Sequence, residues 1–137
     1  LTSRLLRVAL DTNMLVSTII AASSVPAEAI AKVLQTATVL VSLETWDEME
    51  EVLMREKFDR YQAASFRRAY LDFLQESVDF VSVHSKVTIC RDVKDDKLLA
   101  LALDGNADFI VTGDKDLLVL NPFEGIPIIT PLDYLAR

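Results

Sequence analysis

Five short apolar runs constrain this chain more than any other feature. Leu6-Arg7-Val8-Ala9-Leu10, Thr38-Val39-Leu40-Val41-Ser42, Phe80-Val81-Ser82-Val83, Phe109-Ile110-Val111-Thr112 and Ile126 to Thr130 are dominated by aliphatic and β-branched residues rather than alternating with polar ones. Strands of that kind are buried on both faces. Between them lie stretches with helical spacing. One starts at about Met14, and a second covers Ala27 to Thr36 with Pro26 at its mouth, where a helix start tolerates proline. In a third, Leu43, Trp46, Met49, Val52 and Leu53 recur; a fourth covers Ala64 to Val78 with Phe66, Tyr70, Phe73 and Leu74 at the same period. Lys94 to Asp104 and the short Asp114 to Leu120 complete the set. Strand and helix alternate throughout, and right-handed crossovers leave few ways to connect them. The expected fold is a three-layer α/β/α sandwich with a central parallel sheet of about five strands, Rossmann-like in plan.

Composition agrees. The chain has 137 residues, 51% of them hydrophobic, and only three glycines and four prolines to mark linkers, so residues 1–137 read as one domain. The lone cysteine, Cys90, leaves no internal disulfide or zinc cluster to build. Arg4 and Arg7 precede an apolar stretch ending in Ile19-Ile20-Ala21-Ala22, in imitation of an export signal. Asp11 and Asn13 interrupt it, and an Asp in such a segment costs about 2.5–3.5 kcal/mol on insertion scales. With no run of ~18–20 apolar residues to span a membrane, a cytoplasmic protein is expected. The net charge of −7 argues against a generally basic nucleic-acid surface, so the carboxylates need their own explanation.

Several fall where ligands bind in open parallel sheets, beyond the carboxyl ends of strands. Asp11 follows the first strand; Asp114 and Asp116 follow the fourth, after Thr112-Gly113; Asp92, Asp95 and Asp96 open the helix that leads into it. Each is also a good helix N-cap, worth about 0.5–2 kcal/mol over Ala. Capping does not explain several like charges on one rim, which disfavour one another's ionisation. A hard divalent ion would relieve that repulsion. Asp96 stacks with Leu99, Ala100 and Leu103 along the helix and is the stronger ligand candidate, although the helical wheel does not separate it cleanly from Asp95. Among Glu44, Asp47, Glu48, Glu50 and Glu51, periodicity does not choose.

Three blocks then carry a resemblance. Leu10-Asp11-Thr12-Asn13-Met14-Leu15-Val16-Ser17, Cys90-Arg91-Asp92-Val93-Lys94-Asp95-Asp96-Lys97-Leu98-Leu99 and Val111-Thr112-Gly113-Asp114-Lys115-Asp116-Leu117-Leu118 resemble the PIN-domain family, and within it the VapC-like toxin ribonucleases of prokaryotic toxin–antitoxin systems. The likeness runs from about Leu6 to Pro131. It implies a PIN-like fold and hydrolysis of RNA phosphodiester bonds with Mg²⁺ or Mn²⁺, one or two ions. Its Ser…Glu…Val-Leu pattern fits Ser42, Glu48, Val52 and Leu53. The four metal-binding acids, which are also the catalytic ones, carry over onto Asp11, Glu48, Asp96 and Asp114. Asp116 matches a further acid, and Asn13 and Thr112 match supporting polar residues. Val93 stands where close relatives usually have proline, which puts the stiffness of that loop in doubt. A small antitoxin and a homodimer are the partners implied.

Arg55 to Arg68 holds Arg55, Lys57, Arg60, Arg67 and Arg68 against Glu56 and Asp59, a local +3 (five minus two). Arg55, Lys57, Arg67 and Arg68 are therefore candidate RNA contacts, the alternative being an ordinary solvated helix connection. His84 reads as a surface or strand-end residue and Cys90 as a packed side chain rather than a nucleophile. Two other readings compete. A phosphatase-like phosphoryl-transfer domain lacks its second acid, since Asp11-Thr12-Asn13 is not Asp-x-Asp, and a receiver-like one lacks a properly placed acidic pair and lysine. A non-catalytic interaction module would leave the acids structural.

Overall fold

The computed structural model describes residues 5–137, so Arg4 of the leader-like start lies outside the described residues. The strands are β1 (Leu6–Leu10), β2 (Ala37–Val41), β3 (Asp79–Phe80), β4 (Phe109–Val111) and β5 (Ile128–Ile129). The helices are α1 (Thr12–Ile20), α2 (Val25–Thr36), α3 (Leu43–Leu53), α4 (Ala64–Ser77), α5 (Asp96–Asp104), α6 (Lys115–Leu118) and α7 (Pro131–Leu135). Short 3₁₀ turns cover Glu56–Phe58 and Val93–Asp95.

All five strands run parallel in the order β3-β2-β1-β4-β5. Central β1 pairs with β2 from Leu6↔Ala37 to Ala9↔Leu40 and with β4 from Val8↔Phe109 to Leu10↔Val111. Side chains alternate along a strand, so Val8 and Leu10 face one way and Ala9 the other. Val8, Leu10, Val39, Val41 and Val111 pack with Met14, Ile30, Val33, Trp46, Met49 and Leu71; on the opposite face Ala9, Leu40, Ile110 and Ile128 pack with Leu98, Leu99, Leu101 and Leu117. Helices α1–α4 and α7 cover the first face, α5 and α6 the second. Two cores around one sheet are why the strands read as unbroken apolar runs. The expected three-layer α/β/α sandwich is the fold observed.

Local chemistry starts the helices. The Ser42 hydroxyl accepts from Thr45 N–H at 3.1 Å while Thr45 Oγ1 accepts from Ser42 N–H at 2.8 Å, a reciprocal cap on α3. Ser24 caps α2, with Pro26 in its first turn. Helix α7 was not expected from periodicity, being too short to show any; Thr130, Pro131 and Asp133 start it by the same reciprocal device. Among the described residues no single helix is long and apolar enough to cross a membrane.

Three boundaries differ from expectation. The run Phe80–Val83 enters the sheet only at Asp79–Phe80, followed by one more bond from Val81 N–H to Val41 O. The chain is then drawn off as an irregular strap over α5. The Asp104 carboxylate accepts from the N–H of His84 and Ser85 and from the Ser85 hydroxyl, and Asp96 Oδ1 accepts from Ile89 N–H and Cys90 N–H. The first and last residues of α5 thus tie down the two ends of the strap. Ile126 bridges back to Phe123 in a tight turn, so β5 keeps only Ile128 and Ile129. The helix read from Lys94 begins as a 3₁₀ turn and becomes α-helical at Asp96.

Candidate active site

The strand order sets the site. From β1 the chain winds to β2 and β3 on one side, then crosses back to β4 and β5 on the other. Crevices form where the order reverses, at the carboxyl ends of β1 and β4. Asp11 follows β1 there, with its N–H on Val111 O at 3.2 Å; Thr112 and Asp114 follow β4.

Asp11 caps α1 with Oδ1, which accepts from Asn13 N–H at 3.0 Å, while Oδ2 accepts from the Thr112 hydroxyl at 2.8 Å. Thr112 is fully buried, and its oxygen in turn accepts from Asp114 N–H at 3.0 Å, so one hydroxyl joins the two acidic loops. Asp114 caps α6 through Asp116 N–H at 2.9 Å. Capping and clustering therefore coexist, because each role uses different oxygens or directions. Asn13 contributes its main-chain N–H. Asp116 lies 3.9 Å from the Arg91 guanidinium.

Helix α3 brings Glu48 to the same rim. Its Oε1 accepts from the Thr12 hydroxyl at 2.8 Å and its Oε2 from the Lys97 ammonium at 2.6 Å. Glu51 is spent on Arg55 and Glu50 on Arg68, outside the cleft. Of the acids on this helix, Glu48 is the one that lines the cleft.

Asp95 is a further acid lining this cleft. A cleft of about 20 Å³, room for one water-sized guest, is lined by Asp11, Thr12, Glu48, Lys94, Asp95 and Lys97 among others. Burial, then the charges of Asp114 and Asp11, push the Asp95 carboxyl up to about 6. Asp11 is raised as well, chiefly by burial, with Asp114 and Glu48 adding to it. Asp96, expected in this place, is a correction. Its carboxylate is turned to the strap, where Cys90 N–H at 2.8 Å and Ile89 N–H at 3.1 Å hold it below the ordinary range. Asp95 ends the 3₁₀ turn and Asp96 starts α5, so the two adjacent carboxylates point in different directions.

Carboxylates gathered on one rim are hard oxygen donors whose mutual repulsion a divalent cation would relieve, so the donor chemistry fits one. As placed, among the described residues, no three His, Cys, Asp or Glu side chains stand close enough to hold an ion together. Lys97 on Glu48 supplies part of the missing positive charge. Thr12, Thr45, Lys94 and Lys97 are polar cleft residues that the sequence did not single out. Thr12 sits inside the Asp-Thr-Asn motif, whereas Lys97 stood out only as part of the polar edge of α5.

The basic segment behaves differently from the surface expected of it. Arg67 is fully buried: Nη1 donates to Leu53 O and Arg55 O at 2.9 and 3.0 Å, Nε to Gln62 O at 3.1 Å, and Nη2 to Asp59. It joins α3 to α4 and has no face left for RNA, which corrects its assignment as a phosphate contact. Arg68 pairs with Glu50 and Asp72, Arg55 with Glu51, and Lys57 lies over the Phe58 ring. His84 is exposed, and Cys90 is half-buried with a thiol pushed up to about 12, first by burial and then by Asp96. Neither is placed to act as a nucleophile or its base. The loop carrying Val93 closes on Asp92, which accepts from Lys94 N–H at 3.0 Å.

A doubly wound parallel sheet with carboxylates converging where its strand order reverses defines an α/β class with an acidic cleft. The PIN domain model matches residues 7–116, most of the chain, and the protein belongs to the PIN domain family. A solved structure of VapBC2 from Rickettsia felis, bound to a DNA fragment from their promoter, is similar with a TM-score of 0.61 and 13% identity, covering 91% of this chain and 98% of that one. At that identity the likeness is one of fold. Comparison with curated proteins finds no significant match.

Proposed function

We propose that this PIN domain is a metal-dependent endoribonuclease, the toxin member of a toxin–antitoxin pair. The observation that carries the reading is the convergence of Asp11, Glu48, Asp95 and Asp114 on one rim, with Asp11 and Asp95 both raised by burial and by each other's neighbours. These four would hold one or two Mg²⁺ or Mn²⁺ ions, with Asp116 as a further acid of the same loop. A bound ion of this kind supplies a water of lowered pKa and offsets charge on the phosphate and leaving oxygen. The chain's own residues do the rest. Thr112 fixes Asp11 against Asp114, and Thr12 fixes Glu48. Lys94 and Lys97 bring positive charge to the cleft mouth where a phosphodiester would enter. Arg55 and Lys57 stay in the proposal as outer phosphate contacts and Arg68, engaged by two acids, as a weaker one; Arg67 leaves it. The remaining readings go with this one: a single domain, an antitoxin partner, a homodimer and a cytoplasmic site of action.

Labelled RNA incubated with Mn²⁺ tests it. Wild type is expected to cleave, and Asp11→Asn and Asp95→Asn to lose about 10²- to 10³-fold with circular dichroism unchanged, the scale of losing one group that stabilises transition-state charge. Asp96→Asn is expected to lose far less. Full activity in Asp11→Asn, or phosphate release from a phosphomonoester with no RNA cleavage, would overturn the proposal.

A further inference from the structure

We infer that Lys97 is a resident counter-cation of the acid cleft, and that a divalent ion must compete with it for Glu48. The inference rests on the cleft being a metal site. Both Glu48 oxygens are engaged, Oε1 by the Thr12 hydroxyl and Oε2 by the Lys97 ammonium at 2.6 Å. The two side chains of the ion pair are 25% and 28% exposed, so the pair is better shielded than the surface pairs of this molecule. Ion pairs gain strength as solvent is removed from around them.

The partners come from opposite faces of the sheet, Glu48 from α3 and Lys97 from α5, and meet only at its carboxyl edge. Asp11 and Asp95 line the same cleft. Without Lys97, Lys94 is, among the described residues, the one ammonium left lining the cleft against Asp11, Glu48 and Asp95, which raises the demand for another cation. Displacement of Lys97 is also sterically simple. Its side chain lines both the cleft and a groove of about 1070 Å³ on the other side, bordered by Leu43, Phe80, Val83, Lys86 and Val93. The side chain therefore has open space beside the cleft into which it can swing. Lys97 is a positioning residue: it withholds Glu48, lowers metal affinity and offsets the repulsion among the cleft acids.

Calorimetric titration of Mn²⁺ into the intact chain tests this, alongside thermal unfolding in chelator. Lys97→Met is expected to bind Mn²⁺ about three- to thirtyfold more tightly than wild type, the range between an exposed ion pair and a charge-assisted hydrogen bond. It is also expected to unfold at a lower temperature in chelator. Lys97→Arg, which keeps the charge, should bind no more tightly than wild type. A general loss of positive charge would favour any cation, so the cycle with Glu48→Gln is decisive: in that background Lys97→Met should gain much less. The inference is overturned if Lys97→Met binds as wild type does or more weakly, if Lys97→Arg gains equally, or if the gain survives Glu48→Gln in full. Equal binding by wild type and Lys97→Met sinks this inference alone, whereas no Mn²⁺ binding by any form sinks the metal reading with it.

Discussion

The buried hydroxyl of Thr112 donates to Asp11 Oδ2 and receives Asp114 N–H, so a single oxygen holds two acids from different strands. Thr112→Val keeps the shape and removes both bonds. It is expected to cost about 1–3 kcal/mol in urea unfolding, the scale of leaving a buried polar group unpaired. Groups that orient metal ligands typically contribute 10- to 100-fold to affinity, and Mn²⁺ binding should fall by about that factor, with Thr112→Ser recovering it. Arg67 is a second case where one residue's surroundings decide its role. Its guanidinium is spent on three carbonyls and Asp59, and Arg67→Met is expected to destabilise by about 3–5 kcal/mol, as breaking a buried charged network does. Arg68→Glu, at a partly exposed site, should change stability far less. In the sequence Arg67 and Arg68 are alike, and charge counting treats them alike. Only the packing of α4 on α3 buries one and leaves the other half-exposed.

Helix α5 and its strap act as one unit because the helix carries a carboxylate at each end. Asp104 is held below its ordinary 3.8, first by the Ser85 hydroxyl, then by Ser85 N–H and His84 N–H. A carboxyl depressed in the folded state adds stability above its unfolded value and loses it as pH falls through the folded one. Asp104→Ala should therefore lower the unfolding temperature at pH 7, and the gap to wild type should close as pH drops below 3.8. A gap that stays constant down to pH 2 would show that the carboxylate charge is not what holds the strap. The same element explains two failures of sequence reading. Phe80-Val81-Ser82-Val83 looks like a full strand, but a carboxylate distant in sequence captures the amides that follow. The sequence favours Asp96 over Asp95 on an unbroken helical phase, and the 3₁₀ turn at Val93–Asp95 shifts that phase at the residues in question.

Across the whole molecule, the acids of the cleft repel one another and are tied to both sides of the β1–β4 junction, so a cation bound there would stabilise the entire fold. At a hundredfold excess over its Kd, Mn²⁺ should add about 2.7 kcal/mol, read as a rise in unfolding temperature that chelator reverses. Asp95→Asn should lose most of that rise. An equal rise in the variant would show the ion to be held elsewhere. The layer architecture was legible because burial on both sheet faces writes itself as unbroken apolar runs, and helix phase as spacing. Asp11 and Asp114 were legible too, since each follows a strand that such runs make visible, and the Asp-Thr-Asn and Thr-Gly-Asp motifs mark the turns. Chain order alone thus determined a parallel sandwich with an acidic carboxyl edge. The tertiary structure alone decided which acids meet: Asp95 rather than Asp96, and Glu48 engaged by Lys97. Direction around a helix and contact between elements dozens of residues apart depend on how layers dock, and local sequence carries no record of that.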